Sequence, residues 1–158
     1  VTLADMARNI IDTNRYMVLG TVDPDGRPRV SPVYFAPDGY DTLYWISSPD
    51  SHHSRNLAER PEVSMVIFDS TVPVGGGAQA VYLRATAAQV PDDELDRHAE
   101  TACRARFPEQ KVFPAEELRA PSPLRLYRAR VTEHAVHIRG SDPVHGNGVD
   151  SRLVVNLD

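Results

Sequence analysis

The stretch that decides the fold begins Arg27-Pro28-Arg29-Val30-Ser31-Pro32-Val33-Tyr34-Phe35 and continues, after a turn, as Leu43-Tyr44-Trp45-Ile46-Ser47-Ser48. It ends Ser51-His52-His53-Ser54-Arg55-Asn56-Leu57, with a proline at Pro61. β-Branched and aromatic residues bounded by Pro, Gly and Asp read as strands. Asp50 or Ser51 can cap a helix that Pro61 must end. The predicted order is strand, turn, strand, helix. The first turn of that helix carries hydroxyls, imidazoles and a guanidinium. Unpaired N–H groups and the helix dipole make such a terminus suited to a phosphate group.

Upstream, Leu3, Met6, Ala7, Ile10 and Ile11 fall at helical spacing, and Thr2 is a suitable N-cap, so a helix is predicted over 2–14. Residues 16–22 form a short apolar strand. Asp23-Pro24-Asp25-Gly26 is a turn, so this strand and the next are expected to pair as a hairpin. Pro37-Asp38-Gly39 marks a second turn.

Downstream, residues 63–68 are a nearly continuous apolar strand. Residues 79–90 alternate Val81, Leu83 and Ala85 against Tyr82, Arg84 and Thr86, as a half-buried strand does. The run Gly75-Gly76-Gly77 lacks both the spacing and the following helix of a phosphate loop, so it reads as a flexible connection within the loop 70–78. A helix is predicted over 92–106, with acids in its first turn and Arg104 and Arg106 in its last. Cys103 lies on the inward stripe of that helix and reads as a small core residue. Residues 107–123 are proline-rich, with one short helix expected at 115–119. Residues 124–131 and 135–138 read as a long bent strand or a pair, and 152–157 as a last strand.

Six or seven strands joined mostly by hairpins, with few helices between them, predict a mainly β fold: an antiparallel barrel with attached helices. A chain of 158 residues is expected to form a single domain over 1–158. The net charge of -5 argues against nonspecific nucleic-acid binding. The lone cysteine allows no intrachain disulfide, residues 1–16 do not read as a secretory signal, and no run is long enough for a membrane helix. A cytoplasmic location is the expectation.

The ordered combination Gly26-x-Pro28-x-Val30-x-Pro32-Val33, Trp45-Ile46-Ser47-Ser48, His53-Ser54-Arg55-Asn56-Leu57 and Pro61-Glu62-Val63-Ser64 resembles the pyridoxamine 5′-phosphate oxidase-like family. The resemblance is good over about ninety residues and loose beyond. It implies a six-stranded antiparallel split barrel, homodimeric, with FMN at the dimer interface. It further implies that Arg29, Val30, Ser31, Pro32, Val33 and Tyr34 line the flavin. Ile46 and Ser47 would follow on the next strand. Ser48, His52, His53 and Arg55 would hold the phosphate, and Gln79 would reach the flavin. The function implied is an FMN-dependent oxidoreductase acting on a small-molecule substrate, with NAD(P)H as a candidate electron donor.

Two departures bear on this. His53 stands where the family usually has lysine. An imidazole is only partly protonated near neutral pH, so FMN retention is expected to weaken at high pH. The C-terminal tryptophan segment of true pyridoxamine phosphate oxidases is missing, so vitamin B6 oxidation is not expected. A deazaflavin on the same barrel stays open as an alternative, as does a non-catalytic protein holding flavin or haem, since haem-utilisation relatives share a His-x-Arg-Asn-Leu segment. Trp45 reads as barrel core. His52 and His53 project about 100° apart on a helix, and His134 and His137 fall on opposite faces of a strand, so no metal site is expected. No catalytic residue is assigned; Tyr34, Tyr82 and His98 are candidates.

Overall fold

The computed structural model describes every residue of the chain except 76 and 78, so the expectation for the triple-glycine run falls partly outside the described residues. Helix α1 (Leu3–Thr13) leads into β1 (Tyr16–Val22), β2 (Pro28–Tyr34), β3 (Ala36–Asp38) and β4 (Thr42–Ser47). Helix α2 (His52–Glu59), β5 (Glu62–Phe68), β6 (Ala80–Gln89), α3 (Leu95–Ala102), β7 (Arg125–Ile138) and β8 (Ser151–Val155) follow. Among the described residues no helix is long and apolar enough to cross a membrane.

All strand pairs are antiparallel, in the order β2-β1-β5-β6-β7-β4-β3, with β8 beside β7. β2 lies at one end of this order and β3 at the other, yet Phe35 alone separates them in the chain. One continuous segment therefore supplies both edges, and the sheet must curl until they meet. The result is a split barrel. Phe35 is the pivot, fully buried, with its N–H donating to the Arg15 carbonyl at 3.1 Å. The fold has eight strands rather than six. The additions are short: β3 occupies part of the predicted second turn, and β8 covers a single stretch of β7.

The barrel is filled by the inward alternates of its strands, among them Met17, Leu19, Val33, Met65, Ile67, Val81, Leu83, Trp45 and Tyr127, with Ala7, Ile10 and Ile11 of α1. Trp45 stacks on Tyr127 with 14° between the rings. A second cluster covers the opposite side of β4 and β7, where Tyr44 and Leu126 meet Leu95, Ala99, Ala102 and Cys103 of the α3 region. β7 stays one strand because it bends through a bulge. Its register with β6 steps from Arg84↔Glu133 to Ala85↔Val131, leaving Thr132 extra.

The chain departs from expectation after α3. A single 3-10 turn over Asp92–Glu94 precedes α3, which ends at Ala102 rather than near 106. Arg106 is drawn out of the helix by a better set of partners. Its Nη2 donates to the carbonyls of Ile11 (2.9 Å), Asp12 and Asn14 (both 3.3 Å), and its Nη1 to that of Phe35. These are the acceptors that the end of α1 and the barrel pivot leave open. The guanidinium also lies over the Phe35 and Phe107 rings.

Part of the outer face of β2-β1-β5-β6 is apolar, whereas Glu62, Ser64, Arg84 and Thr86 make the rest of it polar. The register places Pro32, Val18, Val66 and Tyr82 in one cross-strand row, continued by Ala135 and Val154. Around it Val30 is 71% exposed, Tyr16 60% and Phe68 46%, with Val154 at 68%.

Candidate functional site

The junction of β4 and α2 draws most of the expected site residues together. Ser51, not Asp50, is the N-cap: its hydroxyl accepts the Ser54 N–H at 3.3 Å. Asp50 is exposed one position earlier, its N–H held by the Ser48 hydroxyl at 3.1 Å. Ser47, the last residue of β4, faces the first turn of α2, and its hydroxyl lies 2.9 Å from His53 Nε2. Burial, and then the neighbouring His52, push the His53 imidazole below its usual pKa. The cation is therefore less favoured on His53 than on a free imidazole. His52 and Arg55 are exposed, and Arg55 has no carboxylate partner among the described residues.

A hollow of about 440 Å³ opens beside this turn, lined by Asp23, Pro24, Asp25, Arg29, His52, Arg55 and Asn56. Arg29 comes here from β2, but its charge is committed: Nε donates to Asp23 Oδ1 at 2.7 Å. Asn56, buried, donates from Nδ2 to the same oxygen at 2.7 Å and to Thr21 Oγ1 at 3.1 Å. Arg29 first, then Asn56, pull the Asp23 carboxyl down to about 2. The acid that holds Arg29 at the corner is thus Asp23, which the sequence shows only as a turn residue. Asn56 fastens the β1–β2 hairpin to α2; its place one turn into the helix, beside Leu57, hints at structure but not at this partner.

A second hollow, a cleft of about 370 Å³, lies between the end of β2, the outer side of β4 and β7, and residues 109–113. Tyr34 and Ile46 of the expected set line it. The Tyr34 hydroxyl donates to Gln110 Oε1 at 2.7 Å, and its ring meets Tyr16 edge-on. Tyr44 also lines the cleft, with its hydroxyl 3.0 Å from His98 Nδ1. Arg128 Nη1 lies 3.2 Å from the other nitrogen of that imidazole.

The other expected residues are spread out. Val30 and Pro32 point outward from β2 into the apolar face, Ser31 is half-buried beside them, and Val33 points inward as barrel core. Ser48 caps the approach to α2 through its carbonyl, which accepts from the Ser51 hydroxyl at 2.9 Å. Gln79 precedes β6 and lines neither hollow. The residues at 109–113 escaped the sequence reading because a proline-rich segment has no periodicity to mark a face.

Fold and site define a class: an antiparallel split barrel with an anion-suited corner where a strand hands over to a short helix. The sequence pattern of the pyridoxamine 5′-phosphate oxidase family matches residues 3–137, and the chain belongs to that family. Among curated proteins none matches. Among solved structures, a haem-binding protein from Mycobacterium smegmatis is 22% identical with a TM-score of 0.70; the alignment covers 98% of this chain and 58% of that one. HutZ, a haem storage protein from Vibrio cholerae, is 21% identical with a TM-score of 0.60, covering 83% and 91%. An F420 reductase is 23% identical with a TM-score of 0.57, covering 80% and 94%. At these identities the likeness is one of fold.

Proposed function

We propose that the protein is an FMN-dependent oxidoreductase working as a homodimer, with the FMN phosphate at the β4–α2 corner. The observation that carries this is the first turn of α2. Its leading N–H groups have no partner within the helix, and Arg55 stands beside them without a carboxylate partner among the described residues. An uncommitted guanidinium next to such donors is the strongest available partner for a phosphate dianion. His52 and the hydroxyls of Ser47 and Ser48 add donors. His53 takes part as a hydrogen-bonding group.

When bound, FMN supplies hydride chemistry. The chain's part is to fix the cofactor and exclude water. The β2 residues Arg29, Val30, Ser31, Pro32 and Tyr34 would flank the ring system, with Ile46 from β4 and Gln79 from the start of β6. The apolar outer face supports the second subunit. A contiguous exposed apolar surface of this kind marks an interface, and Val30 belongs both to it and to the proposed flavin wall.

A second reading, a haem carrier, is favoured by the half-buried position of His53 at the start of α2, where burial disfavours the cation and so favours the neutral form in which an imidazole ligates a metal. The visible spectrum of the purified protein separates the readings. A flavin spectrum that Arg55→Ala weakens supports the proposal. A Soret band lost in His53→Ala supports the carrier. A colourless protein that binds a deazaflavin but not FMN leaves the barrel in use with the other cofactor.

A further inference from the structure

We infer that His98 is a latch between α3 and the barrel: the neutral ring fastens the helix to β4 and β7, and the imidazolium lets it go. His98 Nε2 lies 3.2 Å from Arg128 Nη1, and Nδ1 lies 3.0 Å from the Tyr44 hydroxyl. A guanidinium can only donate, so Nε2 must accept. The ring proton then sits on Nδ1 and is donated to the Tyr44 oxygen. The bond from Arg128 exists only while Nε2 is bare. Among the described residues no other side chain of α3 is hydrogen-bonded to a strand: Asp96 pairs with Arg119, and Arg97 with Glu94.

The charged and titratable groups around the ring decide its behaviour. Facing His98 are Arg128 and Arg130 from β7, Tyr44 from β4, Arg97 from its own helix and Glu94 from the turn before it, while Asp38 of β3 acts on Tyr44. Burial first, and then Arg128 and Arg97, hold the imidazole below its usual pKa; Glu94 opposes them. Glu94 Oε1 lies 3.9 Å from Nε2 and also accepts from Arg97 Nη2 at 3.0 Å. Protonation puts a second N–H against the Arg128 guanidinium and leaves Glu94 as the acceptor within reach. A tie to the barrel is exchanged for a tie within the helix.

Little else holds α3 down. Of the residues it packs on Tyr44 and Leu126, only Leu95 is large; Ala99, Ala102 and Cys103 bury little apolar area each. A helix of eight residues is not stable alone, so it keeps its shape only while docked. Ala102 and Cys103 at its end line the 370 Å³ cleft beside Tyr44, so release of α3 opens that cleft. The sign follows from the lowered pKa. The latch is complete above about pH 6.5 and is lost as pH falls through the folded value beneath it.

The inference holds whichever cofactor the chain carries. Its test follows Cys103, the only cysteine, which is buried where α3 meets the barrel and reacts only when the helix lifts. The full chain, as purified, is treated with dithiodipyridine from about pH 8 to about pH 5. At each pH the rate is divided by that of the urea-unfolded chain, which removes the thiol's own titration. Protection should be level above about pH 6.5 and fall about tenfold below it, the worth of one hydrogen bond to a charged group. Emission from Trp45, in the barrel core, should stay constant across the same range. His98→Gln should make protection independent of pH, and His134→Gln, in the barrel, should leave the fall in place. Glu94→Gln should move the fall to lower pH and Arg128→Gln to higher pH, since one removes the acid that favours the imidazolium and the other a cation that opposes it. A helix merely loosened by mutation would not shift in opposite directions. A level wild-type profile, a fall that persists in His98→Gln, or shifts of the same sign in the two variants overturns the inference. So does a loss of protection that comes only with a change in Trp45 emission, which would be unfolding of the whole barrel.

Discussion

His53 Nε2 and Ser47 Oγ lie 2.9 Å apart, joining the first turn of α2 to the last residue of β4. The pair sets the angle at which the helix leaves the strand. It also spends the imidazole on a neutral partner, so the proposed phosphate corner relies on Arg55 for charge. Replacing His53 by lysine, the residue usual in this family, restores a permanent cation there. A hydrogen bond to a charged group is worth about 1.5 kcal/mol or more, so FMN should bind His53→Lys about tenfold tighter. A Kd unchanged from wild type, by fluorescence titration, would count against the phosphate placement.

Asp23→Asn should also tighten FMN binding. The substitution removes a carboxylate that hydrogen bonds from Arg29 and Asn56 hold down to about 2, and it frees the Arg29 guanidinium for the ligand. The amide still accepts from Asn56, so the hairpin stays fastened to α2. The expected gain is several-fold in Kd and should shrink as salt is added, because the corner is open to solvent. Weaker FMN binding in this variant would mean that Arg29 has no part in the site.

Acid should destabilise the protein through its imidazoles. Burial is the first cause lowering His53, His98 and His134 below the ordinary histidine value. On acidification the unfolded chain therefore takes up protons before the folded one. The stability held by the neutral rings is complete above about pH 6.5 and is lost as pH falls through that value toward the folded pKa values. His134, whose Nε2 lies 2.6 Å from the Tyr40 carbonyl, is the best single probe. Calorimetric melting from about pH 8 to 5 should show a Tm that is flat and then falls, with a shallower fall in His134→Gln. Parallel curves for the two proteins would refute this.

Arg106→Lys should cost nearly as much stability as Arg106→Ala, about 2 kcal/mol, measured by urea denaturation. One planar guanidinium serves four carbonyls on two elements, and an ammonium cannot match that fork. A lysine variant as stable as wild type would show that the carbonyls find other partners at little cost.

Val30→Glu should give a folded monomer that no longer retains FMN. Val30 is 71% exposed in the single chain, so the change burdens no core. A carboxylate in the apolar face would, however, be buried against a second subunit. Sedimentation at the mass of two chains with the flavin still bound would remove both the interface and the shared site.

Local chemistry made the elements legible in the sequence. The capping box of Thr2 and Asp5, the turn ending in Gly26 (φ 87°), the alternation of Val81, Leu83 and Ala85, and the stop at Pro61 each act within a few residues. Fold class and the β4–α2 corner followed from them, because strand, cap and breaker signals are short-range. Arg106 shows where that kind of reading ends. Its charge suits the last turn of a helix, but its partners lie about ninety residues upstream, and no local pattern points to them. Position alone likewise does not show that Asp23 neutralises Arg29, that burial disfavours the His53 cation, or that residues 109–113 wall a cleft with Tyr34 and Tyr44. Only the tertiary structure decides these. They depend on which groups share a dehydrated volume, and that is fixed when the segment around Phe35 brings the two edges of the sheet together.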